Sequence, residues 1–124
     1  MSRKETEGEA APYRAFDLAQ AMDRVGGDQD LLREIAALFL EDGPRMMGEV
    51  EQACRNGDAT ALASAAHGLK GCVATFGAKP AYEAALALET AGRNQDLSRA
   101  AEDLLRLEVA IGALTPELSS IAGS

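Results

Sequence analysis

The sequence predicts an all-α chain, an up-and-down antiparallel four-helix bundle with a short extra N-terminal helix. Three observations predict it. Aromatic residues make up 4% of the chain and tryptophan is absent, so the aromatic and β-branched side chains on which strands draw are scarce, while Ala and Leu abound. Apolar residues recur at three-and-four spacing, the period of a helix buried along one face. The breaks between these runs are only a few residues long, which makes successive helices antiparallel neighbours.

Residues 1–14 are polar, contain Gly8 and Pro12, show no period and are expected to form a flexible lead-in. Asp17 can cap a short first helix through about Arg24, stopped by Gly26-Gly27. Asp28 opens a second, in which Leu31, Leu32, Ile35, Leu38 and Phe39 mark one buried stripe. Gly43-Pro44 interrupts it with an expected kink or brief break, after which Met46, Met47, Val50 and Ala53 continue into the bundle as far as Asn56-Gly57. Asp58 caps a third helix to about Phe76, and Lys79-Pro80 starts a fourth that lasts to about Gly92. Asp96 or Ser98 opens a fifth, ending near Leu114. The bundle therefore spans 15–114, and 115–124, which begins at Thr115-Pro116, is expected to be a flexible tail.

With a mass of 13.0 kDa the chain has room for one core. Twenty acidic residues against twelve basic ones give a net charge of −8, which repels phosphate backbones and anionic lipid, so neither nucleic acid nor a membrane is an expected partner. The longest strongly apolar run, Ile35 to Leu40, is far short of a membrane span, and the first residues lack an apolar signal-type stretch. A cytoplasmic protein is the expectation. Cys54 and Cys72, with a single histidine and no CxxC, suit neither a zinc site nor a disulfide framework and read as buried thiols. The acidic residues of the second and fifth helices read as a solvated face.

The third helix carries the chemistry. At about 100° per residue, Leu62, Ala65, Leu69, Val73 and Phe76 all lie within about 40° of the side opposite His67. On the histidine's own side stand Ala63, Ser64, Gly71, Ala74 and, if the helix reaches it, Ala78, with Lys70 at the margin. An ordinary solvated face carries Glu, Lys, Gln or Arg there, and each mid-helix glycine costs roughly 0.5–1 kcal/mol relative to alanine. Two of them, Gly68 and Gly71, follow the histidine, so a large partner is expected to approach the ring closely. Cys72 sits about 140° round the helix and can form no dyad with His67. An accessible imidazole remains as a nucleophile, and Lys70 suits phosphoryl oxygens.

Ala66-His67-Gly68-Leu69-Lys70-Gly71, followed by Ala74-Thr75-Phe76-Gly77-Ala78, resembles the signature of histidine phosphotransfer (HPt) domains, roughly H-x-L-K-G with a further glycine six residues on. The resemblance extends upstream to Gly27-Asp28-x-x-Leu31-Leu32-x-Glu34 and downstream to Leu88-Glu89. It implies a bundle that accepts a phosphoryl group on Nε2 of His67 and relays it between receiver-domain aspartates in a multistep phosphorelay. It further implies that Lys70 contacts the phosphoryl oxygens, that Gly71 leaves room for the partner, that Gly77 permits close packing, and that Glu89 orients the imidazole through Nδ1. Gly68 departs from the pattern, where a larger polar residue is usual. The implied partners are response-regulator receiver domains or a hybrid sensor histidine kinase, docking on a face that includes Ala63, Ser64, Gly68, Gly71 and Ala74 of a monomer. No cofactor is expected on this chain, and Mg²⁺ belongs to the receiver.

Without a phosphate loop or nucleotide-binding glycine pattern, the chain reads as a phosphoryl carrier and not an enzyme. Two other readings stay open: an adaptor bundle that binds a kinase or receiver without phosphate turnover, and the acceptor module of a chemotaxis-type kinase. The Met1 start and short tails fit a free-standing protein or an excised terminal domain.

Overall fold

The structure, a computed structural model, describes residues 16–123; the lead-in expected over 1–14 lies outside them. Five helices follow one another: α1 (Leu18–Arg24), α2 (Gln29–Asn56), α3 (Ala59–Ala74), α4 (Lys79–Arg93) and α5 (Ala100–Ala122). The first three begin as the sequence predicts. Asp17, Asp28 and Asp58 each accept a backbone N–H three residues on, from Gln20, Leu31 and Ala61, at 3.0, 3.0 and 3.1 Å. Gly57, at φ 63°, closes α2 in the left-handed conformation that only glycine adopts without strain.

The four long helices form a ring in which α2 touches α3, α3 touches α4, α4 touches α5 and α5 returns to α2. Leu32 and Val50, Leu62, Leu69 and Val73, Leu88, and Leu107, Leu114 and Leu118 fill its centre. Phe76 closes one end, its ring 6.3 Å from that of Phe16 and 5.9 Å from that of Phe39. The Asp17 N–H donates to the Phe76 carbonyl at 3.0 Å, tying the start of α1 to the end of α3. Gly77 lies under α1 at φ 59°, and a Cβ there would strike the Gln20 carboxamide and approach Asp17 Cβ to 2.8 Å. It packs closely, as implied, but against α1.

Four expectations need correction. First, the buried stripe of α2 runs through Leu32, Ala36, Phe39, Gly43, Met47, Val50 and Ala53. Leu31 and Leu38, 39% and 60% exposed, fall outside it, because small residues let α2 sit closer to its neighbours along a line next to the leucines. Second, of the kink or brief break expected at Gly43-Pro44, the break does not occur: α2 runs on through Pro44. The missing N–H leaves the Leu40 carbonyl without its usual donor, and burial on both sides holds the helix through that gap. Third, Arg99 takes the N-cap of α5; Asp96 instead accepts from the Ser98 N–H and hydroxyl in a turn just before it. Fourth, α5 continues through Pro116 to Ala122, so 115–122 is helix and not tail. Leu118 is fully buried one turn beyond Leu114, and Thr115 Oγ1 donates to the Ile111 carbonyl at 2.8 Å.

The acidic face is not wholly solvated either. Asp103 is buried beside Arg106. At the seam of α2 and α5, a hydrogen bond with Glu51, then burial and the Glu51 charge, hold the Glu108 carboxyl above its usual range. A raised carboxyl contributes stability only at low pH and loses it as pH rises through the folded value. Replacing Glu108 with Gln is therefore expected to raise the thermal midpoint at pH 7 by a degree or two and to leave it unchanged at about pH 4, which thermal melts at the two pH values check.

Candidate functional site

Helix α3 buries Leu62, Ala66, Leu69 and Val73, which leaves His67 on the outer side with its side chain 62% exposed. Ala66 takes the core position expected of Ala65, which is half-buried. Helix α4 lies alongside and presents Glu89, 3% exposed, from its buried face next to Ala85 and Leu88.

A carboxylate removed from water must be matched, and this one has three cationic or N–H partners. His67 Nδ1 lies 3.0 Å from Oε2. The Arg93 guanidinium donates to the same oxygen through Nε at 3.0 Å and a terminal nitrogen at 2.5 Å. Lys70 Nζ stands 2.8 Å from Oε1, a charge contact, and among the described residues this oxygen has no hydrogen-bond donor. The Lys70 ammonium also lies 5.9 Å from the centroid of the Tyr82 ring.

The Lys70 ammonium most of all, helped by Arg93 and His67 and opposed by burial, holds the Glu89 carboxyl at about 2. Glu89 is thus ionised at neutral pH and can only accept hydrogen bonds. In the neutral imidazole Nδ1 must then carry the proton, and Nε2, across the ring, presents a lone pair.

One contact sets this geometry. A Cβ on Gly92 would come within 2.6 Å of the Ala59 carbonyl and 2.7 Å of the Ala63 nitrogen, so the α3 and α4 backbones meet there. Ala63 lies one turn before His67 and Gly92 one turn after Glu89, and their approach brings imidazole and carboxylate into reach.

The small-residue face is narrower than expected. Ser64, Gly68 and Gly71 are exposed, whereas Ala63 and Ala74 are half-buried, Ala63 under α4, and Ala78 is buried. Gly68 and Ser64 line a groove between α2 and α3 with Met46, Gly48 and Gln52. A further groove between α4 and α5, lined by Pro80, Ala84, Leu105 and Val109, holds none of these residues. Cys72 and Cys54 are half-buried, with thiols pushed up chiefly by burial, which keeps them protonated and inert.

Among the described residues a Cβ on Gly71 would meet nothing within 4 Å. The chain's own packing does not require this glycine, so Gly71→Ala is expected to stabilise the fold by about 0.5–1 kcal/mol, as read by urea unfolding. A loss of stability would show that Gly71 serves packing.

Arg93 and Gly92 are the residues that the sequence reading missed. The four-residue spacing of Glu89 and Arg93 is a helical ion-pair signal that could have found the first; nothing in the sequence alone pairs Gly92 with Ala63. Lys70, expected at the phosphoryl group, is engaged with Glu89.

Among the described residues no helix is long and apolar enough to cross a membrane, and no group of three or more His, Cys, Asp or Glu side chains is arranged to hold a metal ion. Searches of curated proteins and of solved structures return no significant match. The family model for the Hpt domain matches residues 34–117, which takes in most of α2, all of α3 and α4, and α5 to one residue beyond Pro116. With that match over two thirds of the sequence and the helical bundle in hand, the chain belongs to the Hpt domain family, a phosphotransfer module and not a kinase catalytic domain.

Proposed function

We propose that this chain accepts a phosphoryl group on Nε2 of His67 and relays it to or from receiver-domain aspartates in a multistep phosphorelay. The observation that carries the reading is the exposed His67 ring held through Nδ1 by a buried, ionised carboxylate. In the transfer the P–O bond to the partner's aspartate breaks and an N–P bond forms at Nε2, in line and through a loose transition state. The aspartate leaves as a carboxylate. Nδ1 keeps its proton, the ring becomes cationic, and Glu89 faces the new charge.

Lys70 then contacts the phosphoryl oxygens, and Ser64, Gly68 and Gly71, flanked by Ala63 and Ala74, form the docking face for a transient interface of roughly 1,000 Å². The receiver supplies Mg²⁺ and most of the charge stabilisation. The carrier works as a monomer in the cytoplasm, with response-regulator receivers or a hybrid sensor histidine kinase as partners, and needs neither nucleic acid nor a membrane.

Incubation with a phosphorylated receiver domain should transfer acid-labile label to the wild-type chain and none to His67→Gln. Label on the variant would remove His67 as acceptor, and binding of the receiver with no label on either chain would favour the adaptor reading.

A further inference from the structure

Glu89 is shared unequally. Among the described residues its Oε1 has only Lys70, whereas Oε2 has two N–H groups of Arg93 as well as His67 Nδ1. If Lys70 is to contact a phosphoryl group on the ring, its ammonium must leave Oε1, since it cannot lie 2.8 Å from a buried carboxylate oxygen and neutralise a dianion across the imidazole at once. Were Lys70 the only counter-charge of this carboxylate, 3% exposed, its departure would be strongly opposed.

We propose that Arg93 is a positioning residue that makes this departure possible: it keeps Glu89 neutralised and aimed at Nδ1 while Lys70 moves from Oε1 to the phosphoryl oxygens. The inference rests on the phosphotransfer reading above. Three features fit Arg93 to the task. It stands four residues after Glu89 on the same helix, so its grip does not depend on α3. Its planar guanidinium holds one oxygen through two donors and leaves the other to Lys70. Its side chain is 63% exposed, so it clamps the carboxylate from the solvent side without entering the core. Lys70, with a flexible stem and its ammonium near the Tyr82 ring, is the partner able to swing.

The test is a double-mutant cycle on the full chain with phosphoramidate as the phosphoryl donor, which needs no protein partner. The rate of His67 phosphorylation is followed by ³¹P NMR, and the imidazole tautomer by ¹H–¹⁵N correlation. Arg93→Ala is expected to slow phosphorylation about tenfold and to mix the Nδ1–H and Nε2–H tautomers, while Arg93→Lys, which keeps the charge but not the two-donor fork, restores part of the rate. Lys70→Met alone should slow the reaction several-fold and leave Nδ1–H as the tautomer, because Arg93 still holds Glu89; in the Arg93→Ala background it should cost more than the product of the two single losses, because the buried carboxylate then has neither cation.

Losses that only multiply or fall short of the product, an unchanged rate in Arg93→Ala, or a failure of Arg93→Lys to rescue would overturn the role assigned to Arg93 while leaving His67 as acceptor. No phosphohistidine on the wild-type chain, from phosphoramidate or from a phosphorylated receiver, would overturn this inference and the proposed function together.

Discussion

Replacing Glu89 with Gln is expected to slow phosphorylation of His67 by about 10–100-fold, although the side chain keeps its shape. The carboxylate offers acceptor oxygens to both sides, Lys70 at Oε1 and Arg93 with His67 at Oε2. A carboxamide has one oxygen. Turned toward Arg93, it sets its NH₂ against the Lys70 ammonium; turned toward Lys70, it sets its NH₂ against Arg93 and against Nδ1, which must then become the acceptor and give up the reactive tautomer. Neither orientation provides the negative charge that the phosphorylated ring requires. Stability should fall by about 1–3 kcal/mol at pH 7, since two cations lose their partner. The Glu89 carboxyl, held at about 2 against an ordinary 4.5, contributes stability that is complete above the ordinary value and is lost as pH falls through the lowered one. The gap between wild type and variant should therefore close between about pH 5 and pH 2. Transfer assays and unfolding across that range check both parts, and an unchanged rate would remove Glu89 from the site.

Gly92→Ala is expected to destabilise the fold by about 1–3 kcal/mol and to slow phosphorylation as well. The same exchange at Gly71 is stabilising, because a Cβ there meets open space; at Gly92 it meets the backbone of Ala59 and Ala63 at 2.6–2.7 Å, and backbone cannot step aside as a side chain would. Helix α4 must move away from α3, which lengthens the reach from Glu89 to His67 one turn on. Opposite signs for one substitution at two glycines separate a residue that seats the helices from one that leaves a surface clear. Wild-type stability in Gly92→Ala, measured by urea unfolding, would mean that the approach of α3 to α4 does not set the site.

What could be read in the sequence was what is local. His67, Lys70 and Gly71 share one helix, so spacing alone puts them together, and Asp17, Asp28 and Asp58 announce their helices within three residues. Glu89 came into view only through resemblance, because its distance from His67 depends on how α4 docks. Arg93 is legible by its four-residue step from Glu89, but only once Glu89 is known to matter. Small residues mislead in both directions: spacing puts Ala63 on the open face although it lies under α4, and the larger Leu31 and Leu38 mask Ala36 and Gly43, which mark the true core line of α2. Pro116 outweighed the four-residue step from Leu114 to Leu118 in the sequence, whereas burial of Leu118 decides the matter in the fold.

The most direct measurement is a ¹H–¹⁵N correlation spectrum of the phosphorylated, ¹⁵N-labelled chain, which identifies the ring nitrogen bonded to phosphorus. Coupling of ³¹P to Nε2 of His67, with a proton retained on Nδ1, is the expected result. Phosphorus on Nδ1, or on any other residue, would contradict an imidazole held by Glu89 with its far nitrogen free to react.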